Sequence, residues 1–296
     1  MKRSIVLATI SVLAVLSCSH ENDACIDDLD SEVITICAYT EGTPEVKNVI
    51  DDESLNITWA AGDAINVFFG ASEGSRFVTS ESGAVAQFKG SIDVVTGGGE
   101  GLNDDTSLWG IYPYDTENTC DGTHVTLTLP DVQEAAENTF ANGLFPQIAR
   151  SRNFYMSFYN LCGCFRFSVV NPDIKSVEIS GTSGEIIAGK ARISMDGIPA
   201  VEEIIDGRNK LTMNAPDGGF FKPGVNYYFV LFPTTFSQGL TLTYYKESSY
   251  ASYTYPNSYT LTRSKISRFA NRDSGLTFIN IPLHDWEEGD NIGGEI

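Results

Sequence analysis

Proton transfer near neutral pH is most often given to histidine, and this chain has three: His20, His124 and His284. None stands in a pattern with a nucleophile, and the zinc-protease motif His-Glu-x-x-His does not occur. Three pairs of acidic neighbours, Asp104-Asp105, Glu202-Glu203 and Glu287-Glu288, have the chemistry of glycosidase carboxylates. Adjacent residues on a strand point to opposite faces, however, so no such pair forms a ready acid/base couple. Asn103-Asp104-Asp105 lacks the regular oxygen-ligand spacing of a calcium loop. Gly97-Gly98-Gly99 does not follow a strand and open a helix as a phosphate-binding loop does. Cys162-Gly163-Cys164 places two thiols on one face of a strand with no histidine near it in sequence, which fits two small buried hydrophobes better than a metal or redox pair. No catalytic residue, metal ligand or cofactor site is therefore expected, and the chain is not read as an enzyme. Binding is the chemistry that remains. Tyr250, Tyr253 and Tyr255, with Ser and Asn around them, form a candidate patch for stacking on sugars or protein surfaces.

Charge narrows the partners. The 296-residue chain carries a formal net charge of −20. Without Lys2 and Arg3, which lie in the leading segment described next, 17 basic residues face 39 acidic ones. Such a surface repels phosphate backbones, so nucleic acid is not expected as a partner. Many Thr, Ser, Gly and aromatic residues suit an extracellular β-protein.

The elements that would position these side chains begin with an address. Lys2 and Arg3 precede an uncharged, mostly apolar run from Ser4 to Ser17, the length of a secretory segment and too short to span a bilayer. The run ends in Val15-Leu16-Ser17-Cys18, which resembles the lipobox of bacterial lipoproteins. That resemblance implies cleavage after residue 17, diacylglycerol modification and acylation (palmitate) on Cys18, and an outer-membrane lipid anchor. With Cys18 lipidated, Cys25, Cys37, Cys120, Cys162 and Cys164 remain, an odd number, and no disulfide framework is expected. Residues 18–32 are strongly acidic with no Lys or Arg, an extended solvated tether. This tether also resembles the surface-export signal of Bacteroidetes lipoproteins.

From Val33 the pattern is that of short β-branched and aromatic strands separated by turns, beginning with Val33–Tyr39 and Ile65–Phe69. Val132–Asn138 is the single stretch that reads as a helical turn in the first half. Tyr227–Phe232 is nearly continuous in apolar residues and is expected to be a central strand covered on both faces. Short strands at this spacing argue for β-sandwiches, so the fold class is all-β. The division expected is 33–152 for an N-terminal β-sandwich domain, 153–284 for a C-terminal one and 285–296 for an acidic, Gly-rich tail.

Three motifs then occur in order: Trp59-x-x-Gly62-Asp63-x-Ile65-x-Val67-Phe68, Gln87-Phe88-x-Gly90, and Trp109-Gly110-Ile111-Tyr112-Pro113-Tyr114. Together with Tyr227–Pro233 followed by Leu240-Thr241-Leu242, this series resembles the fimbrillin-like proteins of Bacteroidetes, the subunits of type V pili and their anchor and tip relatives. The resemblance implies two tandem transthyretin-like β-sandwiches, a non-enzymatic adhesive role, and a place on the cell surface in a fimbrium. Its partners would be other fimbrial subunits, the outer membrane through the lipid, and a host or bacterial surface ligand. It also implies donor-strand exchange: a protease removes the lipidated segment with the first strand, and a neighbour's strand fills the groove. Here that displaceable strand carries Val33, Thr35, Cys37 and Tyr39, and the candidate processing residue is Lys47, the sole Lys or Arg between Cys18 and Trp59. With no Arg in this region and a short acidic tail as a poor donor, the chain reads as anchor, tip or accessory subunit rather than stalk. The alternative is a surface glycan- or protein-binding lipoprotein that does not assemble.

Overall fold

A computed structural model describes residues 33–41, 57–91 and 107–281. Nearly all of the regular structure in them is β. The first five strands are β1 (Ile34–Thr40), β2 (Ala64–Phe69), β3 (Ser75–Thr79), β4 (Val85–Gly90) and β5 (Leu108–Tyr112). Four shorter ones follow: β6 (Thr119–Cys120), β7 (Val125–Leu129), β8 (Val132–Ala136) and β9 (Thr139–Phe140). β10 (Gln147–Ser151) and β11 (Tyr155–Asn160) then return to the first group. The order β1-β11-β10-β5-β2-β3-β4 closes on itself as a barrel. Alternation explains its filling. Ile65 and Val67 of β2, Leu108 and Tyr112 of β5 and Phe158 of β11 share one core with Trp59 and Phe88. Phe68, Trp109 and Ile111 lie on the opposite face and join a second core shared with the rest of the chain. β5 is accordingly buried at every position.

The second group is β12 (Gly163–Ser168), β13 (Ser176–Gly181), β14 (Ala188–Asp196), β15 (Ile198–Arg208) and β16 (Lys210–Asn214). It continues with β17 (Tyr227–Leu231), β18 (Thr234–Phe236), β19 (Leu240–Tyr245), β20 (Ser249–Tyr255), β21 (Tyr259–Leu261), β22 (Ile266–Ala270) and β23 (Ile279–Asn280). Three main sheets pack around the larger core, in the orders β17-β12-β22, β23-β20-β19-β13-β16-β8-β9 and β15-β14-β7-β6. The architecture is thus all-β, with several sheets in a sandwich-like arrangement.

The strands do not divide at residues 152 and 153. β10 and β11 pair with each other across that point, Gln147 opposite Asn160 and Ile148 opposite Tyr159. β7 pairs with β14 and β8 with β16, so four strands of the first half are built into sheets of the second.

Two local expectations are corrected. Val132–Ala136 is a strand, with Gln133 and Ala135 buried and Val132 and Glu134 exposed. Its Gln133 amide donates to Val230 O at 2.8 Å while the Gln133 carbonyl accepts from Val230 N at 3.0 Å. A side chain used in this way favours extended backbone over the helical turn that its composition allows. The same contact corrects β17, which lies at the edge of its sheet rather than the centre. Tyr227, Phe229, Val230 and Leu231 are fully buried, and Gln133 supplies the hydrogen bonds that a neighbouring strand would otherwise give.

Candidate functional site

The barrel is completed by β1, which sits between two strands with which it has no local connection. It runs antiparallel to β4, from Ile34 opposite Gly90 to Tyr39 opposite Val85. It runs parallel to β11, from Cys37 opposite Tyr155 to Thr40 opposite Phe158. Ile34, Ile36 and Ala38 face the barrel core, and the last two are completely buried. Taking β1 away would therefore leave a slot with two unpaired strand edges and an apolar floor, the arrangement that an extended segment can refill.

Two side chains from elsewhere hold the far end of β1. Trp59 lies inside the barrel in edge-to-face contact with Phe88, Tyr112 and Phe158, at centroid distances of 4.9, 5.4 and 5.2 Å. Its indole N–H donates to Ala38 O at 3.2 Å. Gly110 makes room for this stack, since a Cβ there would meet Phe158 Cζ at 2.6 Å. One residue past β1, the Glu41 carboxylate accepts from both terminal nitrogens of Arg263, with Nη2 at 2.8 Å from Oε1. It also accepts from Asn160 N at 2.8 Å, and Arg263 Nη1 donates to Asn160 O at 2.8 Å. Glu41 and Arg263 side chains are each only 21% exposed. A two-pronged Arg–carboxylate contact of this kind is geometrically selective as well as attractive.

Cys18 and Lys47 lie outside the described residues, as do the tether, the tail, His20, His284, Gly97–Gly99, Asn103, Asp104-Asp105 and Glu287-Glu288. Of the strand residues expected to be displaceable, Thr35, Cys37 and Tyr39 belong to β1 and Val33 immediately precedes it, half exposed. All four fall on the face away from the core-facing Ile34, Ile36 and Ala38. Cys37 is disulfide-bonded, a bridge that cysteine spacing did not reveal.

The tyrosine patch is not one surface. Tyr253 and Tyr255 stand opposite the buried Leu242 and Leu240 and lean on the larger core, with Tyr255 5.8 Å from Phe269. Tyr250 points to the other face of β20, opposite Tyr245 at 6.2 Å. Odd and even positions of one strand cannot share a face, which corrects the expectation of a single three-residue patch.

Residues with catalytic chemistry are occupied structurally. Arg192 Nη2 lies 2.7 Å from His124 Nδ1, and since a guanidinium only donates, Nδ1 accepts. The ring proton is then on Nε2, 2.7 Å from Glu202. Asp121 binds Arg192 at 2.9 Å, and the group ties β7, β14 and β15 together at the surface. Its carboxyl is held below the usual range first by the Thr123 hydroxyl and N–H. Gly70-Ala71-Ser72-Glu73-Gly74 has the spacing of a hydrolase nucleophile turn, yet it joins strand to strand. Ser72 Oγ accepts from Phe69 N at 2.8 Å and donates to Glu73 O at 3.1 Å, so this serine shapes a turn. Cys162 and Cys164 are free and wholly buried, and burial pushes both thiols up. Among the described residues no group of three or more His, Cys, Asp or Glu is placed to hold a metal ion.

No family model matches the chain. No curated protein matches it either. Among solved structures, it is similar to a protein from Bacteroides uniformis assigned provisionally to cell adhesion, at 12% identity and a TM-score of 0.47, covering 82% of this chain and 95% of that one. A protein from Bacteroides ovatus with the same provisional assignment gives 14% identity and a TM-score of 0.42, covering 78% and 90%. A fimbrial assembly protein from Parabacteroides distasonis gives 12% and 0.37, covering 84% and 100%.

Proposed function

We propose that this chain is a lipid-anchored subunit of a bacterial surface fimbrium that assembles by strand exchange at the β1 position. The observation that carries this reading is the seat of β1, which closes the barrel between β4 and β11 and touches the core through Ile36 and Ala38. A strand so placed contributes main-chain hydrogen bonds on both sides, and an incoming strand reproduces them without needing the same sequence. The motif series that resembles fimbrillin-like proteins supports the reading from within, because Trp59, Phe88 and Tyr112 all line this one barrel. The anchor would be the lipid on Cys18, and cleavage at Lys47 would release lipid, tether and β1 together. Because the region between Cys18 and Trp59 holds no Arg, an Arg-specific protease would leave lipid and β1 in place, which favours an anchor, tip or accessory subunit over a stalk, with adhesion as the downstream role.

The test is limited trypsin treatment of the purified full chain, with and without reductant because of the bridge at Cys37. Cleavage after Lys47, loss of the upstream segment and appearance of oligomers by size-exclusion chromatography are expected, and Lys47→Ala should block all three. A cut chain that keeps its first strand and stays monomeric under both conditions overturns the proposal.

A further inference from the structure

We infer that Arg263 is a specificity-determining residue of the β1 slot, selecting an incoming strand that carries a carboxylate immediately after its last paired residue. This rests on the strand-exchange reading above. In the closed chain that carboxylate is Glu41, one residue past β1, bound by two nitrogens of Arg263 and by Asn160 N–H. Glu41 lies upstream of Lys47 and leaves with β1, whereas Arg263 and Asn160 belong to the remaining body.

The groups left behind have a definite demand. The Arg263 guanidinium stays positioned by Asn160 O at 2.8 Å, and the Asn160 side chain is itself fixed by Gln147 at 2.9 Å and Ser264 at 2.8 Å. Asn160 is completely buried, so its donors are aimed by the surrounding packing rather than by Glu41 alone. A strand with a neutral residue at this place leaves a partly buried charge without its counter-ion, which is more costly than losing an ordinary surface pair. The other anchoring donor, Trp59 Nε1, asks only for a backbone carbonyl and so does not discriminate between strands. The slot thus has one permissive and one selective contact. The partner it fits is an extended segment with apolar residues at alternate positions, matching Ile34, Ile36 and Ala38, followed by Asp or Glu in the place of Glu41.

The experiment uses the full chain with a site-specific protease sequence placed within residues 42–56, cut and then offered two labelled peptides. One copies Val33–Glu41 with Cys37 replaced by serine and an amidated C-terminus; the other is its Glu41→Gln twin. Peptide uptake is followed by fluorescence anisotropy under reducing conditions, on the wild-type body and on Arg263→Ala. The expected result is that the wild-type body takes the Glu peptide about tenfold more tightly than the Gln peptide. Arg263→Ala should take both equally, and Arg263→Lys should recover part of the preference. Equal uptake of both peptides by the wild-type body overturns the inference and leaves strand exchange standing. Failure of both peptides to enter the wild-type body overturns both. Equal uptake on the wild-type body refutes the inference even if the Arg263 variants fail to fold.

Discussion

If β1 leaves its slot as a unit, shortening a core-facing side chain of that strand must weaken the fold and speed the strand's departure together. Ile36 is the place to test this, because it is fully buried among the barrel's aromatic residues. Ile36→Ala removes three buried carbons and leaves a cavity between elements that cannot collapse freely, a loss of about 3 kcal/mol within the usual range for such changes. Urea unfolding, read by the fluorescence of Trp59 in the same cluster, should show that loss as a lower midpoint with unchanged slope. In chain cut within residues 42–56, the same 3 kcal/mol corresponds to release of the upstream segment faster by about a hundredfold. Size-exclusion chromatography at successive times measures it. Thr35→Ala is the control, since Thr35 sits on the other face of β1, and it should cost under about 1 kcal/mol and speed release less than tenfold. Equal effects of the two substitutions would refute the assigned facing of β1. A large stability loss from Ile36→Ala with no change in release would refute independent departure of the strand.

Other expectations follow from single contacts. Tyr112 donates to Asp63 Oδ1 at 3.0 Å, and Asp63 is only 5% exposed. Tyr112→Phe should thus cost about 1–3 kcal/mol in urea unfolding by leaving a buried carboxylate short of a donor. The Asp121 carboxyl lies below its ordinary 3.8 when folded, through the Thr123 hydroxyl and N–H, so its stabilisation is complete above roughly pH 5 and is lost as pH falls below 3.8 toward the lower folded value. Asp121→Asn should flatten this part of the acid limb of the melting-temperature profile and leave the neutral region little changed. Cys162 and Cys164, raised by burial, should resist iodoacetamide at pH 8 in the native state and react on unfolding. Cys120, pushed up to about 11 by partial burial, should react slowly, and mass spectrometry of digests separates the three.

The class of fold was legible because alternation and turn residues are local signals. Gly62, with its positive φ of 97°, and Asp63, which accepts from Ala60 N at 2.7 Å, make the turn that their sequence announces. What was not legible depended on distant partners. The extended form of Val132–Ala136 follows from Val230, nearly a hundred residues on, which both accepts from and donates to the Gln133 amide. The expected boundary at 152/153 rests on the order of strands along the chain, but hydrogen bonding joins β10 to β11 across it and carries β6–β9 into the later sheets. The grip of Arg263 on Glu41 joins residues at opposite ends of the chain, and neither stands in a motif. The tyrosines of β20 could have been separated by parity alone, since 250 is even and 253 and 255 are odd.

The parallel pairing of β1 with β11 has a mechanical consequence. A pull on the chain upstream of β1, resisted downstream of β11, drives the two strands past each other lengthwise. In that direction the hydrogen bonds between them are strained simultaneously, as in shear, instead of opening one after another like a zipper. Tension borne along the chain would then be met by the whole length of the contact, and by Glu41 and Arg263 at its far end. A protein tethered to a cell through its N-terminal segment and loaded by flow at its other end would be gripped hardest along the very direction in which it is pulled.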